Sequence, residues 1–307
     1  MKSYDYFHRS ILKGNGSMKY TVLFNPNAGN GTGAAEAEKL RDILKGDELT
    51  FTDITSLNGY AEFLAGLSDD ERLVLAGGDG TLNRFINETD GLDVGRDVYY
   101  FAAGSGNDFA HDLGKAKGDA PFVITEYLKD LPTVTVKGKA YKFLNGVGYG
   151  IDGYCCEVGD KQRETSDKPV NYTAIAIKGL LFHFKPCNAK ITVDGVEHTY
   201  NKVWLAPTMN GRFYGGGMMP TPDQDRLGKD KTVSCMVFYG SGKLKSLAVF
   251  PSIFKGEHVK HKEMIEILTG HDIKVEFDQP TALQIDGETI LGVTEYEAVS
   301  AKVPAKV

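Results

Sequence analysis

The N-terminal third of the chain repeats one local pattern three times: a short apolar strand, a glycine-rich loop and a helical stretch. The strands are β-branched or aromatic runs, and the helices carry apolar residues at helical spacing. The predicted strands are 20–25, 73–76 and 98–103, and the helical stretches are 34–44, 81–87 and 109–113. Consecutive units of this kind form a parallel sheet, whose ligand sites lie beyond the C-terminal ends of the strands.

The pattern changes after Leu131 and Pro132. Short alternating segments at 133–136, 190–193, 233–239 and 273–277 predict an antiparallel β domain. A largely apolar helical stretch at 172–184 interrupts them, and it is interpreted either as a core-packed helix or as a lid or membrane-facing edge beside an apolar pocket.

These patterns divide the chain into an α/β domain and a β-rich domain, which is the default for a chain of 307 residues. The first domain is placed at 18–132 and the second at 133–290. We expect the segment 291–307 to return to the first domain, and residues 1–17 to be an extension outside the fold.

Composition narrows the classes of partner. The net charge of −6 and the lack of a Lys/Arg block argue against nucleic acid as a partner. The four cysteines have no C-x-x-C spacing, which favours a reducing compartment, and we expect a cytoplasmic protein. No stretch approaches the ~20 apolar residues of a membrane span.

The first glycine-rich loop, Asn25-Pro26-Asn27-Ala28-Gly29 continuing to Gly33, allows the backbone to approach an anion just before a helix N-terminus. It lacks the Gly-Lys-Ser/Thr of a P-loop, so an ordinary strand-to-helix turn remains an alternative to a phosphate site.

The second loop, Gly77-Gly78-Asp79-Gly80-Thr81-Leu82-Asn83, is more specific. Its paired glycines leave room for phosphate oxygens, and Asp79 can hold Mg²⁺ or orient a reacting group. The third loop brings Ser105, Asn107 and Asp108 to another strand end, where they also suit a helix N-cap. Three such loops in one sheet are expected to converge on one ligand.

The sequences NPNAG, GGDGTLN and GSGNDFA, in this order, resemble the catalytic domain of the diacylglycerol kinase family, which includes bacterial lipid kinases and the sphingosine and ceramide kinases. The resemblance covers about 19–303. It continues through NGVGYGID at 145–152, GGGM at 215–218, KGEH at 255–258 and DGE at 286–288.

The resemblance implies a lipid kinase with an NAD kinase or phosphofructokinase-like α/β domain, a C-terminal antiparallel β-sandwich, and ATP and Mg²⁺ between them. The acceptor is a lipid at the inner membrane surface, diacylglycerol being the first candidate, and contact with the membrane is peripheral. A homodimer is expected. The residues implied to contact the nucleotide are Asn25, Pro26, Asn27, Ala28, Gly29, Thr55, Gly77, Gly78, Asp79, Gly80, Thr81, Leu82, Asn83, Ser105, Asn107 and Asp108.

By the same resemblance, Asp286 is the proton acceptor for the lipid hydroxyl, Glu288 lies beside it near the metal, and Asp152 contacts the acceptor headgroup. Residues i and i+2 of a strand project to one face, so both carboxylates can face a cleft. A surface Asp-Gly turn is the alternative. Asp79 is the rival base, because its loop also meets the γ-phosphate.

The chain departs from the family pattern at several positions. Arg84 replaces the usual acidic residue, and His111 replaces a frequent arginine. The loop that holds a second, structural Mg²⁺ in bacterial relatives normally carries Asp-Gly and reads DQDRLGKDK at 223–231 here. That site is therefore in doubt, although Asp225 and Asp230 remain candidate ligands.

Two other functions stay open. Gly-Gly-Asp-Gly also occurs in NAD kinases and phosphofructokinase-like sugar kinases, and the fold can serve a non-catalytic nucleotide or lipid sensor. The carboxylates Asp79, Asp286 and Glu288 argue against the sensor. Sphingoid bases, prenols and monoacylglycerols remain alternative acceptors, because apolar side chains recognise a tail without identifying its headgroup.

Overall fold

The computed structural model describes residues 17–166 and 170–302. Residues 1–16, most of the predicted extension, lie outside the described part. The first domain contains a five-stranded sheet in the order β2-β1-β3-β4-β5. The strands are β1 (Lys19–Phe24), β2 (Glu48–Asp53), β3 (Glu71–Gly77), β4 (Val98–Ala102) and β5 (Phe122–Val123). All pairs are parallel except β4 with β5, which confirms the predicted parallel sheet.

Short helices follow these strands. They are α1 (Ala28–Gly31), α2 (Gly33–Glu38), α3 (Leu40–Ile43), α4 (Tyr60–Ala65), α5 (Asp79–Glu88) and α6 (Asp108–Asp112), with 3₁₀ turns at Ile54–Ser56 and Thr125–Leu128. Two apolar cores, one on each face of the sheet, enclose the central strands β1, β3 and β4. Strands covered on both faces read as continuous apolar runs, which is why β3 and β4 were recognisable in the sequence.

The second domain is built on a sheet of ten strands, and its antiparallel pairing confirms the predicted antiparallel β domain. They are β6 (Thr133–Val136), β7 (Lys139–Lys142), β8 (Gly146–Tyr149), β9 (Cys187–Val193), β10 (Val196–Val203), β11 (Thr208–Met209), β12 (Val233–Phe238), β13 (Ile265–Gly270), β14 (Asp272–Ile285) and β15 (Glu288–Val299). The order is β13-β12-β11-β8-β14-β15-β6-β7, and the β9-β10 hairpin joins β14 through β9. The long strand β14 therefore pairs with β9 in its first half and β8 in its second.

Helices pack beside this sheet around a second core that includes Trp204 and Phe238. They are α7 (Ile151–Thr165), α8 (Tyr172–Lys178) with a π-helical turn at Gly179–His183, and α9 (Lys243–Val249), followed by 3₁₀ turns at Phe250–Lys255 and Glu257–Lys260. Within the described residues, no helix combines the length and the apolar character needed to cross a membrane.

The expected return of segment 291–307 to the first domain is wrong for its described part. Residues 291–299 belong to β15, which pairs with β14 and β6 inside the second sheet. Near the end of β15, buried Tyr296 and Ala298 alternate with exposed residues, which is the pattern of a strand covered on one face. Residues 303–307 lie outside the described part.

Helix α5 connects the two domains. The Asn87 side-chain amide donates to the backbone carbonyl of Lys142, and its Oδ1 accepts from the Lys142 N–H, at 2.9 and 2.8 Å. Leu131 and Leu144 complete the apolar core of the first domain. The C-terminal ends of the parallel strands are thereby held opposite the start of β8 and the end of β14.

Candidate active site

A cavity of about 1370 Å³ lies between the two domains. Its first wall comprises the three predicted loops. Its second wall includes Asn145 just before β8, α7, the β14–β15 turn and the loop at 214–216. The polar residues that line it include Asn25, Asp79, Thr81, Asn83, Ser105, Asp108, Asn145, Asp152, Tyr214, Gln284, Asp286 and Glu288. The loops therefore share one cavity with the carboxylates of the β domain.

The three loops contact one another through small residues. The Asn25 amide donates to Thr81 Oγ1 at 3.1 Å, which joins the first loop to the second. A Cβ added at Gly104 would lie only 2.5 Å from the Cα of Gly78, so the second and third loops approach backbone to backbone. Helix α5 begins at Asp79 without a side-chain cap. The N–H groups of Thr81 and Leu82 donate to the Gly78 carbonyl, which leaves those of Asp79 and Gly80 for an anion.

Asp79 anchors the third loop. Its carboxylate oxygens accept hydrogen bonds from the backbone N–H groups of Asp108 and Phe109, both at 2.9 Å, and so cap helix α6 from a different element. Oδ1 also accepts from the Asn145 amide at 3.0 Å. Oδ2 receives only the Asp108 N–H from the described residues, which leaves it an acceptor position.

Asp286 lies in the tight turn between β14 and β15 and has a left-handed φ of 46°. Its two oxygens accept four hydrogen bonds. The donors are the backbone N–H groups of Leu144 (2.6 Å), Asn145 (2.8 Å) and Gly146 (3.0 Å) and the side-chain amide of Asn83 (3.0 Å). Burial raises the pKa of Asp286, while these bonds act in the opposite direction.

Asn145 links the two carboxylates. Its backbone N–H donates to Asp286, its side-chain amide donates to Asp79, and its Oδ1 accepts from Arg226 at 3.2 Å. One residue of the second domain, through its backbone and its side chain, therefore fixes the Asp79 carboxylate relative to the Asp286 carboxylate.

Asp108 makes a further contact between the domains. Its carboxylate accepts from the backbone N–H groups of Gly216 at 2.8 Å and Gly217 at 2.6 Å. Burial, and next the negative charge of Asp79, raise the pKa of Asp108 to about 7. The loop that carries GGGM is thus held against the third loop of the α/β domain.

The other end of the cavity is apolar around one buried carboxylate. Asp152 and Tyr214 are both buried and lie next to each other, and the Asp152 carboxylate adds to the burial that raises the pKa of the Tyr214 hydroxyl. Burial raises the pKa of Asp152 to about 6. The apolar lining comprises Ile151, Cys155, Val170, Tyr172, Ala176, Met218, Phe250, Phe254 and Ile290. A polar group attached to an apolar chain fits this end.

Several residues implied to contact the nucleotide do not line the cavity: Pro26, Asn27, Thr55, Gly77, Leu82 and Asn107. Thr55 is bound instead to Asp53, through its N–H and its hydroxyl. Leu82 is in the apolar core, and Asn107 braces the third loop through two hydrogen bonds with Gly104. These residues shape the loops, and their direct contact with a ligand stays a prediction.

Family comparisons cover both domains. Residues 19–136 match the diacylglycerol kinase catalytic domain, and residues 145–303 match the domain described as the YegS C-terminal NAD kinase beta sandwich-like domain. The two matches together span the loops, the cavity and the β14–β15 turn. The chain belongs to the diacylglycerol kinase family and is a lipid kinase.

Relatives of this lipid kinase match over most of their length. The diacylglycerol kinase of Mycobacterium tuberculosis is 26% identical over 80% of this chain and 81% of its own. The diacylglycerol kinase of Bacillus subtilis is 24% identical over 87% of this chain and 88% of its own. The crystal structure of a diacylglycerol kinase from Bacillus anthracis has a TM-score of 0.59 and 21% identity, and covers 92% of this chain and 94% of its own. That likeness supports the fold.

The predicted metal ligands of this lipid kinase are not brought together. Glu288 lines the main cavity, whereas Asp225 lies in a separate depression of about 340 Å³ and Asp230 is exposed. Among the described residues, no group of three or more His, Cys, Asp or Glu side chains is arranged to hold a metal ion. The separation agrees with two different sites, Glu288 near the reacting groups and Asp225 and Asp230 at the second site, and the role of all three as metal ligands stays a prediction.

The loop at 223–231 is stabilised by an arginine. The buried guanidinium of Arg226 contacts the buried Asp112 carboxylate at 2.6 Å and the Leu144 carbonyl at 3.0 Å. Arg226 pairs with Asp112, whereas the neighbouring Asp225 carboxylate accepts a hydrogen bond from the Leu227 N–H at 2.9 Å.

No role was predicted for Asn145, Tyr214 or Arg226. Asn145 opens the NGVGYGID motif and so had a signal, but its contacts with both carboxylates depend on how the domains pack. Tyr214 precedes the GGGM motif and carried no separate signal.

Proposed function

We propose that this lipid kinase transfers the γ-phosphate of ATP, with Mg²⁺, to a hydroxyl of a membrane lipid, and that diacylglycerol is the first acceptor to test. The observation that carries the proposal is the meeting of Asp79 and Asp286 in one cavity, through Asn145. Phosphoryl transfer needs positioning and charge neutralisation more than covalent chemistry, and a cavity with these parts suits it.

The first-domain wall supports a triphosphate site. The open N-terminus of α5 and the glycines at 78, 80, 104 and 106 present backbone to the cavity, and Ser105 adds a hydroxyl. Backbone N–H groups and the helix dipole favour negative charge at this position. ATP phosphates along this wall would bring the γ-phosphate towards Asp79 and Asp286.

Two carboxylates compete for the role of proton acceptor. All four acceptor positions of Asp286 are filled, so a lipid hydroxyl must displace one donor. The Asn83 amide is the one side-chain donor among the four, and its χ angles let it move aside. Asp79 Oδ2 keeps an acceptor position without displacement. We retain Asp286 as the proposed base and Asp79 as its rival.

Glu288 suits Mg²⁺. It is exposed within the cavity, and its carboxylate has no hydrogen bond or ion pair with the described residues. Mg²⁺ in kinases is held by one or two carboxylates together with substrate phosphates, so a preformed cage of three carboxylates is unnecessary. When bound, the ion would neutralise charge on the phosphates.

The apolar end supports a lipid acceptor. The Asp152 carboxylate and the Tyr214 hydroxyl lie side by side in this apolar surrounding, and burying a carboxylate away from water is costly. A polar headgroup of the acceptor would satisfy them, while its chain would contact the apolar lining.

The acceptor is tested with radiolabelled ATP against lipids in mixed micelles. The panel contains diacylglycerol, monoacylglycerol, a sphingoid base, a prenol and NAD. We expect label to appear in a lipid, and we expect this labelling to require added Mg²⁺. Label in NAD alone would contradict the proposal and favour the NAD kinase alternative.

The base is tested by Asp286→Asn and Asp79→Asn. Loss of a general base lowers kcat by about 10²-fold or more, with lipid binding retained. The matched control is Asp130→Asn, because Asp130 also has a left-handed φ, of 51°, but does not line the cavity. Unchanged phosphoryl transfer by Asp286→Asn would exclude Asp286 as the base.

A further inference from the structure

Two neighbouring segments of the β domain expose large apolar side chains. The first segment, residues 172–185, contains α8 and the π-helical turn, and the second, residues 242–256, contains α9 and the 3₁₀ turn after it. Phe182 is 72% exposed, Leu244 79%, Ile177 42% and Phe254 39%. Side chains of this size on a short stretch of surface mark an interaction site.

The two segments lie against each other. The Lys243 ammonium group donates to the backbone carbonyl of Leu181 at 2.8 Å. This bond joins the residue before Leu244 to the residue before Phe182, so the two most exposed apolar side chains belong to one surface. We call the exposed surface of residues 172–185 and 242–256 the docking face.

The docking face differs in charge from the rest of the chain. Its segments contain no Asp or Glu and five lysines: Lys178, Lys185, Lys243, Lys245 and Lys255. The whole chain, in contrast, has a net charge of −6. Of these lysines only Lys245 forms an ion pair within the described residues, with Glu263. Apolar side chains among unpaired lysines complement a surface that is apolar beneath an anionic layer.

The docking face is continuous with the cavity. Tyr172 and Ala176 of α8, and Phe250 and Phe254 of the 3₁₀ turn, line its apolar end. The same two segments therefore form one wall of the cavity and the exposed apolar surface outside it. The apolar surface outside the cavity and the apolar lining inside it therefore belong to the same elements.

We infer that the docking face inserts into the surface of an anionic lipid bilayer and opens the acceptor end of the cavity to it. The inference rests on the proposed lipid kinase function and specifies where that function meets the membrane. The bilayer is anionic in this inference, because the lysines would gain no electrostatic attraction from a neutral bilayer.

The test measures sedimentation of the full-length protein with vesicles. Vesicles of phosphatidylcholine with phosphatidylglycerol are compared with vesicles of phosphatidylcholine alone. Phe182→Gln with Leu244→Gln removes the apolar contacts, and Lys178→Gln with Lys185→Gln removes charge; none of these residues lines the cavity. The matched control is Leu92→Gln with Val196→Gln, which replaces exposed apolar side chains outside the docking face.

The wild type and the control are expected to bind anionic vesicles, and each docking-face variant to bind at least about tenfold more weakly. The inference is overturned if the docking-face variants bind like the wild type, or if the wild type ignores anionic vesicles or binds both kinds equally. It is also overturned if Phe182→Gln with Leu244→Gln converts a dimer into a monomer in light scattering, since the face would then join two copies.

A second measurement separates this inference from the proposed function. Phosphorylation of a short-chain diacylglycerol dispersed in water should be unchanged in the docking-face variants, while phosphorylation of the same headgroup in anionic vesicles should fall at least about tenfold. Equal losses on both acceptors would contradict the docking role. If the wild type phosphorylates no lipid, the proposed function fails, and the vesicle sedimentation still decides whether the face binds a bilayer.

Discussion

Arg226 and Asp112 form a buried ion pair, each side chain being 5% exposed. Removing one partner of such a pair leaves a buried charge less compensated, although Arg212 still contacts Asp112 at 2.7 Å. We expect Arg226→Met to lower the free energy of unfolding by roughly 3 kcal/mol in urea denaturation. The control Arg84→Ala breaks an exposed pair with Glu88 and should cost less than about 1 kcal/mol. If both variants lost the same free energy of unfolding, the Arg226 ion pair would contribute no more than the exposed Arg84 pair does.

Asp108 should make stability depend on pH. Its pKa of about 7 in the folded protein exceeds the ordinary carboxyl value near 4, so the folded protein binds the proton more tightly. The stabilisation is complete below about pH 4 and is lost as the pH rises through about 7. The free energy of unfolding of the wild type, measured relative to Asp108→Asn, should fall by at least about 1 kcal/mol between about pH 5 and about pH 8. A constant difference between the two proteins would contradict this assignment.

At the scale of the loops, the backbone contact of Gly104 with Gly78 constrains how the second and third loops pack. A methyl group at Gly104 must push the second and third loops apart, whereas a Cβ added at Gly80 meets no atom within 4 Å. Gly104→Ala should therefore lower the free energy of unfolding by about 1–3 kcal/mol. Gly80→Ala, inside α5, should leave it unchanged or raise it by about 0.5–1 kcal/mol. Both are measured by thermal unfolding, and equal stability of the variants would show that the loops adjust freely.

The elements that could be predicted were those with a local signal. Strands β3 and β4 are buried on both faces and appear as apolar runs, while the glycines after them mark the loops. Strand β2 lies at the edge of the sheet and has no fully buried residue, so it lacks the continuous apolar run that marks β3 and β4. The helical stretch 172–184 was recognised, but its division into buried Ile175 and exposed Phe182 depends on what packs against it.

For the whole molecule, the convergence of the three loops was predictable because parallel strands present their C-terminal ends at one edge of a sheet. The position of Asp286 opposite them was implied by the family resemblance alone. Local sequence could not predict that Asn145 joins Asp286 to Asp79, because those residues are 141 and 66 positions from it in the chain. Contacts between domains depend on how the domains pack. The periodicity of apolar residues and the spacing of motifs in the sequence do not predict that packing.

The position of Asn145 between the domains leads to a prediction about turnover. Asn145→Ala keeps the backbone N–H that binds Asp286 but removes the amide that binds Asp79 and the oxygen that binds Arg226. The two carboxylates would then be free to shift, and small misplacement of reacting groups lowers rate strongly. We expect kcat to fall by about 10²-fold, with a smaller change in KM for ATP.

The matched control is Asn210→Ala, which loses a bond to the Leu144 carbonyl and contacts neither carboxylate. If both variants lose the same stability but kcat falls only in Asn145→Ala, then Asn145 acts by positioning the carboxylates. If kcat falls equally in both variants, its role is packing alone.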